Sequence, residues 1–161
     1  MDSKPQFLQM ILEHQRIIHK ICNLYCDNKE DKEDLFQEIL FQSWRSFESF
    51  QGRSKISTWL YQVALNTALV NLKKEKRRVK GEEIEVGISV VEEQSVKKEE
   101  HQLLHRALND LNEIEKSIMM LYLEEVSYRE IAEIMGLTET NVGVKINRIK
   151  IKLKPILEKY L

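Results

Sequence analysis

The sequence predicts an all-α protein, with two small helical domains joined by a flexible acidic linker and a helix-turn-helix in the C-terminal one. Three observations carry this expectation. Apolar residues recur at spacings of three and four over long stretches of a 161-residue chain that has only five glycines and two prolines. From Gly81 to about Glu93 that periodicity lapses into glutamates and scattered valines. Further on, Ser127, Gly136 and Thr138 punctuate the sequence as two short helices around a tight turn. The expected domains are residues 1–80 and 95–161, with the linker over 81–94.

In chain order, Phe7, Leu8, Ile11, Leu12, Ile17, Ile18, Ile21, Cys22, Leu24 and Tyr25 mark a long amphipathic helix that breaks in Asp27-Asn28-Lys29-Glu30. Asp31 is the expected cap of the next helix, with Glu33 and Asp34 in a first turn where the helix dipole favours acids. That helix runs to about Phe47. It turns Leu35, Phe36, Ile39, Leu40, Trp44 and Phe47 to the core and leaves Asp34, Gln37, Glu38, Gln42 and Arg45 to solvent or to a partner. A loop over 46–57 follows, with Gly52 at its centre and an exposed aromatic, Phe50, beside it. The third helix is expected to bury Ile56, Trp59, Leu60, Val63, Ala64, Thr67 and Val70. On another side it gathers Thr58, Gln62, Asn66, Lys73, Lys76 and Arg77. Such a stripe beside an aromatic-bearing loop suits single-stranded DNA, whose backbone follows cations while its bases enter protein pockets. A helix that is merely polar where it meets water has the same pattern.

Helices resume near Ser95. Leu103, Leu104, Ala107, Leu108 and Leu111 form one stripe, and Asn112 with Glu115 caps a further helix carrying Ile114, Ile118, Leu121 and Tyr122. Ser127 and Glu130 have capping-box spacing, Ile131, Ala132, Ile134 and Met135 give an apolar side, and Gly136 stands where a left-handed terminal residue is wanted. Thr138 then caps a helix with the stripe Val142, Ile146, Ile149, Leu153, Ile156. Its opposite face carries Thr140, Gly143, Val144, Asn147, Arg148 and Ile151, flanked by Lys145, Lys150, Lys152 and Lys154. Lysines on phosphates and polar side chains on base edges are what a major-groove helix requires. A solvated amphipathic helix is the alternative, and the capping box, glycine turn and second cap in register count against it.

Composition sets bounds. With 42% hydrophobic and 32% charged residues the chain is an ordinary globular one, and its net charge of -1 means that nucleic-acid binding must come from segregated charge. Lys73, Lys74, Lys76, Arg77, Arg78 and Lys80 are basic, as is the last helix, whereas Glu82, Glu83, Glu85, Glu92, Glu93, Glu99 and Glu100 lie between them. No apolar run reaches membrane-spanning length and no signal-peptide pattern opens the chain, so a cytoplasmic protein with no membrane partner is expected. His19, Cys22 and Cys26 have spacings that admit a zinc site, and buried small cysteines are the commoner reading. His101 and His105, four apart, lack an identifiable third ligand. No cofactor, no metal and no catalytic residue are expected.

DKEDLFQEILFQSWRSFESFQGRSKISTWLYQVALNTALVNLKKEKRR and LNEIEKSIMMLYLEEVSYREIAEIMGLTETNVGVKINRIKIKLK, in this order across an acidic linker, resemble the two conserved domains of extracytoplasmic-function (ECF) sigma factors. These are small bacterial RNA polymerase sigma subunits. The resemblance implies a dissociable subunit that binds core RNA polymerase and directs promoter-specific initiation. It implies that Asp34, Gln37, Glu38 and Arg45 dock on the clamp coiled coil of the largest polymerase subunit. Phe50, Gln51, Gly52 and Arg53 match the loop that receives a base flipped from the minus-ten element, and Asn66 matches an asparagine that helps read that strand; Gln62, Lys73 and Arg77 extend this surface. The minus-thirty-five duplex falls to Ser127, Tyr128, Thr140, Asn141, Val144, Lys145, Asn147, Arg148 and Lys150. The acidic linker resembles the segment that threads through the polymerase, and an anti-sigma factor is a common further partner in the family. One departure stands out. Where the family usually has glycine-threonine-valine-basic-serine-basic, this chain has Thr140-Asn141-Val142-Gly143-Val144-Lys145, so Gly143 replaces a base-contacting cation. The competing reading is an autonomous helix-turn-helix regulator that binds duplex half-sites without polymerase and needs no strand-separating loop.

Overall fold

Pro5, in the first turn of the first helix, lacks an N–H where none is needed, and helix α1 runs Lys4–Tyr25. The chain then turns at Asp27 and Asn28. Asn28 is extended, and its side-chain oxygen accepts the Asp31 N–H at 2.8 Å, so it caps helix α2, Lys29–Phe47. The expected cap, Asp31, instead lies inside the first turn, where its carboxylate takes a hydrogen bond from the Asn28 amide at 2.7 Å. Both side chains suit a helix start, and the one whose backbone is extended takes the role. Helix α3 spans Ile56–Val79. The structure, a computed structural model, describes residues 3–79, 102 and 106–160. The linker over 81–94, the resumption of helix near Ser95, Leu103, Leu104 and the pair His101 and His105 lie outside the described residues.

The chain divides into two compact units between Arg78 and Val79. In the first, Ile18, Ile21, Ile39 and Leu60 are wholly buried. Each such side chain contributes about 1.5–3 kcal/mol of transfer free energy. An aromatic chain closes one end. Phe7 of α1 meets Trp44 and Phe47 of α2 with ring centroids 5.0 and 5.4 Å apart, Phe47 meets Trp59 of α3 at 6.1 Å, and Phe50 from the loop meets Trp59 at 5.1 Å. Trp44, expected in the core, keeps 39% of its surface exposed while its ring packs against Phe7. The buried arc of α3 is also rotated from expectation. Thr58 is 3% exposed, Tyr61, Leu65 and Ala68 are buried, and Val70 is 51% exposed.

In the second unit, helical residues 106–109 bury Ala107 and Leu108 and lead to a complete capping box. Asn112 Oδ1 accepts the Glu115 N–H at 2.8 Å and Glu115 Oε1 accepts the Asn112 N–H at 3.1 Å, starting α4, Glu113–Leu123. This helix buries Ile118, Met119, Met120 and Leu121, whereas Ile114, expected on its apolar side, is exposed. Glu125 ends the turn with φ 62°, and the Val126 N–H reaches Leu121 O at 3.1 Å. Ser127 Oγ then accepts the Glu130 N–H at 3.2 Å to begin α5, Tyr128–Met135. Gly136 sits at φ 68°, and Leu137 N–H closes on Ala132 O at 2.9 Å in the manner of a Schellman turn. Thr138 Oγ1 accepts the Asn141 N–H at 3.1 Å and starts α6, Glu139–Tyr160. Val142, Ile146, Ile149 and Leu153 of α6 are buried as its stripe requires. Among the described residues there is no strand, and no helix is long and apolar enough to cross a membrane.

Glu125 is the described non-glycine residue held in the left-handed region, which costs an L side chain roughly 1–2 kcal/mol. Glu125→Gly is expected to stabilise the second unit by about 1 kcal/mol. Hydrogen exchange should show slower opening of α4 and α5 amides, and tryptophan fluorescence melts should not move, since Trp44 and Trp59 are the only tryptophans and both lie in the first unit.

Candidate nucleic-acid interface

The first unit offers two adjoining surfaces. On α2, Asp34, Gln37 and Arg45 are exposed as expected, and Glu38 is half-buried, accepting a hydrogen bond from Gln42 Nε2 at 3.0 Å. Sequence reasoning missed Phe41. It is 54% exposed on the same outward face, with the Arg45 guanidinium 5.7 Å from its ring centroid. The signal was the four-residue step Gln37, Phe41, Arg45, which places all three in one row of the helix.

The 46–57 loop holds Gln51, Gly52 and Arg53 out to solvent, with Gly52 at φ 69° and Arg53 Nη2 donating to Gln51 Oε1 at 3.1 Å. A side chain at position 52 would be strained, so the turn requires its glycine. Phe50 is not free, as the sequence suggested; it is half-buried, with one face on Trp59. An exposed phenyl ring gains contact area by lying on a neighbouring indole, and the loop is thereby fixed to the core. Along α3, Gln62, Asn66, Lys73 and Arg77 are all exposed, and buried Thr58 drops out of that stripe. Asn66 also borders a groove of about 240 Å³ that Glu38, Gln42, Thr67, Val70, Asn71 and Lys74 complete. The polar side of α2 and the polar side of α3 therefore share a rim, which their separate periodicities did not reveal.

In the second unit, Ser127, Tyr128, Thr140, Asn141, Val144, Asn147, Arg148 and Lys150 are exposed and Lys145 is half-buried. The buried stripe of α6 fixes which side remains, and the two caps fix where the helix begins. The aromatic edge was not foreseen. Lys150 Nζ stands 4.5 Å from the centroid of Tyr122, and that ring is 6.3 Å from Tyr128. A side-chain hydrogen bond with Tyr122 holds the Lys150 ammonium above its ordinary range. Lys152 is committed elsewhere, to Glu115 Oε1 at 3.2 Å.

Residues 10–78 match the profile of Sigma-70 region 2, and residues 101–153 match that of Sigma-70, region 4. The ECF RNA polymerase sigma-E factor of Haemophilus influenzae is 29% identical across 96% of this chain and 90% of its own length. The chain belongs to the ECF sigma factors. The RNA polymerase sigma factor SigV of Bacillus subtilis is also 29% identical, over 91% of this chain and 87% of its own. Among solved structures, the sigma factor RpoE of Bartonella quintana, in complex with the anti-sigma factor NepR, shares the fold at a TM-score of 0.74. It has 21% identity and covers 95% of this chain and 97% of that one. CnrH, in complex with the cytosolic domain of CnrY, gives 0.71 at 17% identity, over 97% and 90%.

Of the two cysteines of this sigma factor, Cys22 is buried and Cys26 half-buried. Burial, with the neighbouring Cys26 adding, pushes the Cys22 thiol up to about 12, and burial beside Asp31, Glu75 and Asp27 pushes Cys26 up to about 11. His19 stacks on Phe36, centroids 4.7 Å apart. Among the described residues no group of three or more His, Cys, Asp or Glu side chains converges as a metal site. Because the thiolate is the reactive form, both cysteines should alkylate far more slowly in the native protein at pH 8 than in urea. Timed iodoacetamide trapping with mass spectrometry measures this. Native labelling as fast as the denatured rate would mean that α1 opens readily.

Proposed function

We propose that this chain is a dissociable sigma subunit whose first unit docks on core RNA polymerase and captures the opened minus-ten strand while its second unit reads the minus-thirty-five duplex. The observation that carries it is the pairing, within the first unit, of an outward α2 face with an exposed α3 stripe that a duplex-only regulator would not need. Docking falls to Asp34, Gln37, Glu38 and Arg45, with Phe41 as the apolar centre of the row, against the clamp coiled coil of the largest subunit. Charged residues around an exposed aromatic give orientation as well as affinity.

Phe50, Gln51, Gly52 and Arg53 receive a flipped base, and Gln62, Asn66, Lys73 and Arg77 follow the strand beyond it. Extruding a base costs a few kcal/mol, which stacking and amide hydrogen bonds offset once the strand is open. In the second unit Ser127, Tyr128, Thr140, Asn141, Val144, Lys145, Asn147, Arg148 and Lys150 face the duplex. Residues 1–80 and 95–161 thus act as the two promoter-reading domains, with 81–94 as the linker. The chain works in the cytoplasm, where polymerase is, and supplies position rather than chemistry. The RpoE and CnrH neighbours are bound to NepR and CnrY, and a partner of that anti-sigma class is proposed for this chain too.

In vitro transcription with core polymerase tests the reading; specific binding to duplex DNA without core, and no promoter-dependent transcript with it, would favour an autonomous regulator. Charge reversal at Asp34 and Glu38 together is expected to reduce co-purification with core while circular dichroism stays unchanged. Wild-type recovery of the folded double variant would remove the docking assignment.

Asn66→Ala should leave assembly with core intact and depress strand opening, because Asn66 is exposed and lies apart from the proposed docking row. Permanganate footprinting across the start site reports this directly, and full thymine reactivity in the variant would take Asn66 out of strand capture.

A further inference from the structure

A helix carrying a glycine on its reading side leaves a gap of one side chain in the row of groups that meet base edges. In α6 that gap is filled from another helix. A Cβ placed on Gly143 would lie 3.6 Å from Cε2 and 3.9 Å from Cδ2 of Tyr128, so the tyrosine ring rests on the bare backbone at position 143. Gly143 is half-covered by this contact, and Tyr128 keeps 38% of its surface exposed. The covered part of the ring is held by α6 and by Tyr122, 6.3 Å away. At about 100° per residue, Thr140 and Asn147 lie within about 60° of position 143, and both are exposed.

We propose that Tyr128 and Gly143 form one reading element, in which the ring of Tyr128, seated on Gly143, meets the C5-methyl of a thymine in the upstream duplex. This inference rests on the placement of α6 in the major groove. An apolar group against the thymine methyl distinguishes that base from the other three in the major groove, whereas a cation at position 143 would seek the O6 and N7 acceptors of guanine. The residue that sets preference at this position therefore lies on α5, fifteen residues earlier in sequence than the backbone it covers. Tyr128 needs its ring for this role and not its hydroxyl.

The experiment is a selection on randomised upstream elements with holoenzyme, reading the preferred base at each position for the wild type, Tyr128→Phe, Tyr128→Ala, Gly143→Arg and Asn147→Ala. Wild type and Tyr128→Phe should favour thymine at one position by about ten-fold. Tyr128→Ala should lose that preference there and keep the others. Gly143→Arg should displace the ring and move the preference at the same position toward guanine. Asn147→Ala should relax a different position. If Tyr128→Ala lowers binding evenly over all sequences and flattens the salt dependence, the residue holds a phosphate and the inference is overturned. If Tyr128→Phe loses the thymine preference as fully as Tyr128→Ala, the methyl contact is overturned in favour of the hydroxyl. If Asn147→Ala and Tyr128→Ala both leave every preference unchanged, the groove placement of α6 fails as well, and the two failures are thereby told apart.

Discussion

The first unit depends on the aromatic chain that runs from Trp44 through Phe7 and Phe47 to Trp59 and Phe50. It ties the start of α1, the end of α2 and the start of α3 at one place. Each aromatic pair adds about 0.5–1.5 kcal/mol beyond the area it buries. The consequence reaches the proposed DNA surface through Phe50, because the residue just before Gln51, Gly52 and Arg53 packs its ring against Trp59 of the core. A loop held in this way loses less entropy when it meets a base than one that must first be ordered. The exposed half of Trp44 shows the other use of the same chain, since the residue that braces α1 also borders the outward face of α2.

The helix-turn-helix was legible because its signals are local. Ser127, Gly136 and Thr138 each act within four residues of themselves, and each appears in the structure in the expected role. The arc of α3 was less legible. Trp59, Leu60, Tyr61, Val63, Ala64 and Leu65 are apolar on nearly every side of the helix, so periodicity leaves its rotation open and the neighbouring helices decide it. That is why Thr58 turned inward and Val70 outward. Asn28 took the capping role expected of Asp31 for a related reason, both being able to accept an orphan amide. The contact of Tyr128 with Gly143 had no sequence signal at all, since it depends on how two helices cross.

Gly136 and Gly143 show two uses of a missing side chain. At Gly136 the left-handed backbone requires it, and nothing lies within 4 Å of where a Cβ would be. At Gly143 the backbone is helical and the space belongs to a ring. The first fixes the turn between α5 and α6, and the second lets α5 contribute to the surface that α6 presents. Both bring residues of the earlier helix into the geometry of the later one.

Glu115 serves two partners, accepting the Asn112 N–H and the Lys152 ammonium. A lysine already paired with its own protein gains less from a phosphate than an unpaired one, and each phosphate neutralised adds roughly 0.9 to the slope by which salt weakens such complexes. On the proposed placement of α6, its lysine count is therefore an upper bound on its phosphate contacts. Lys152 gives its charge to the start of α4, where Glu115 also closes the capping box, so one basic residue of α6 serves the architecture of the unit itself.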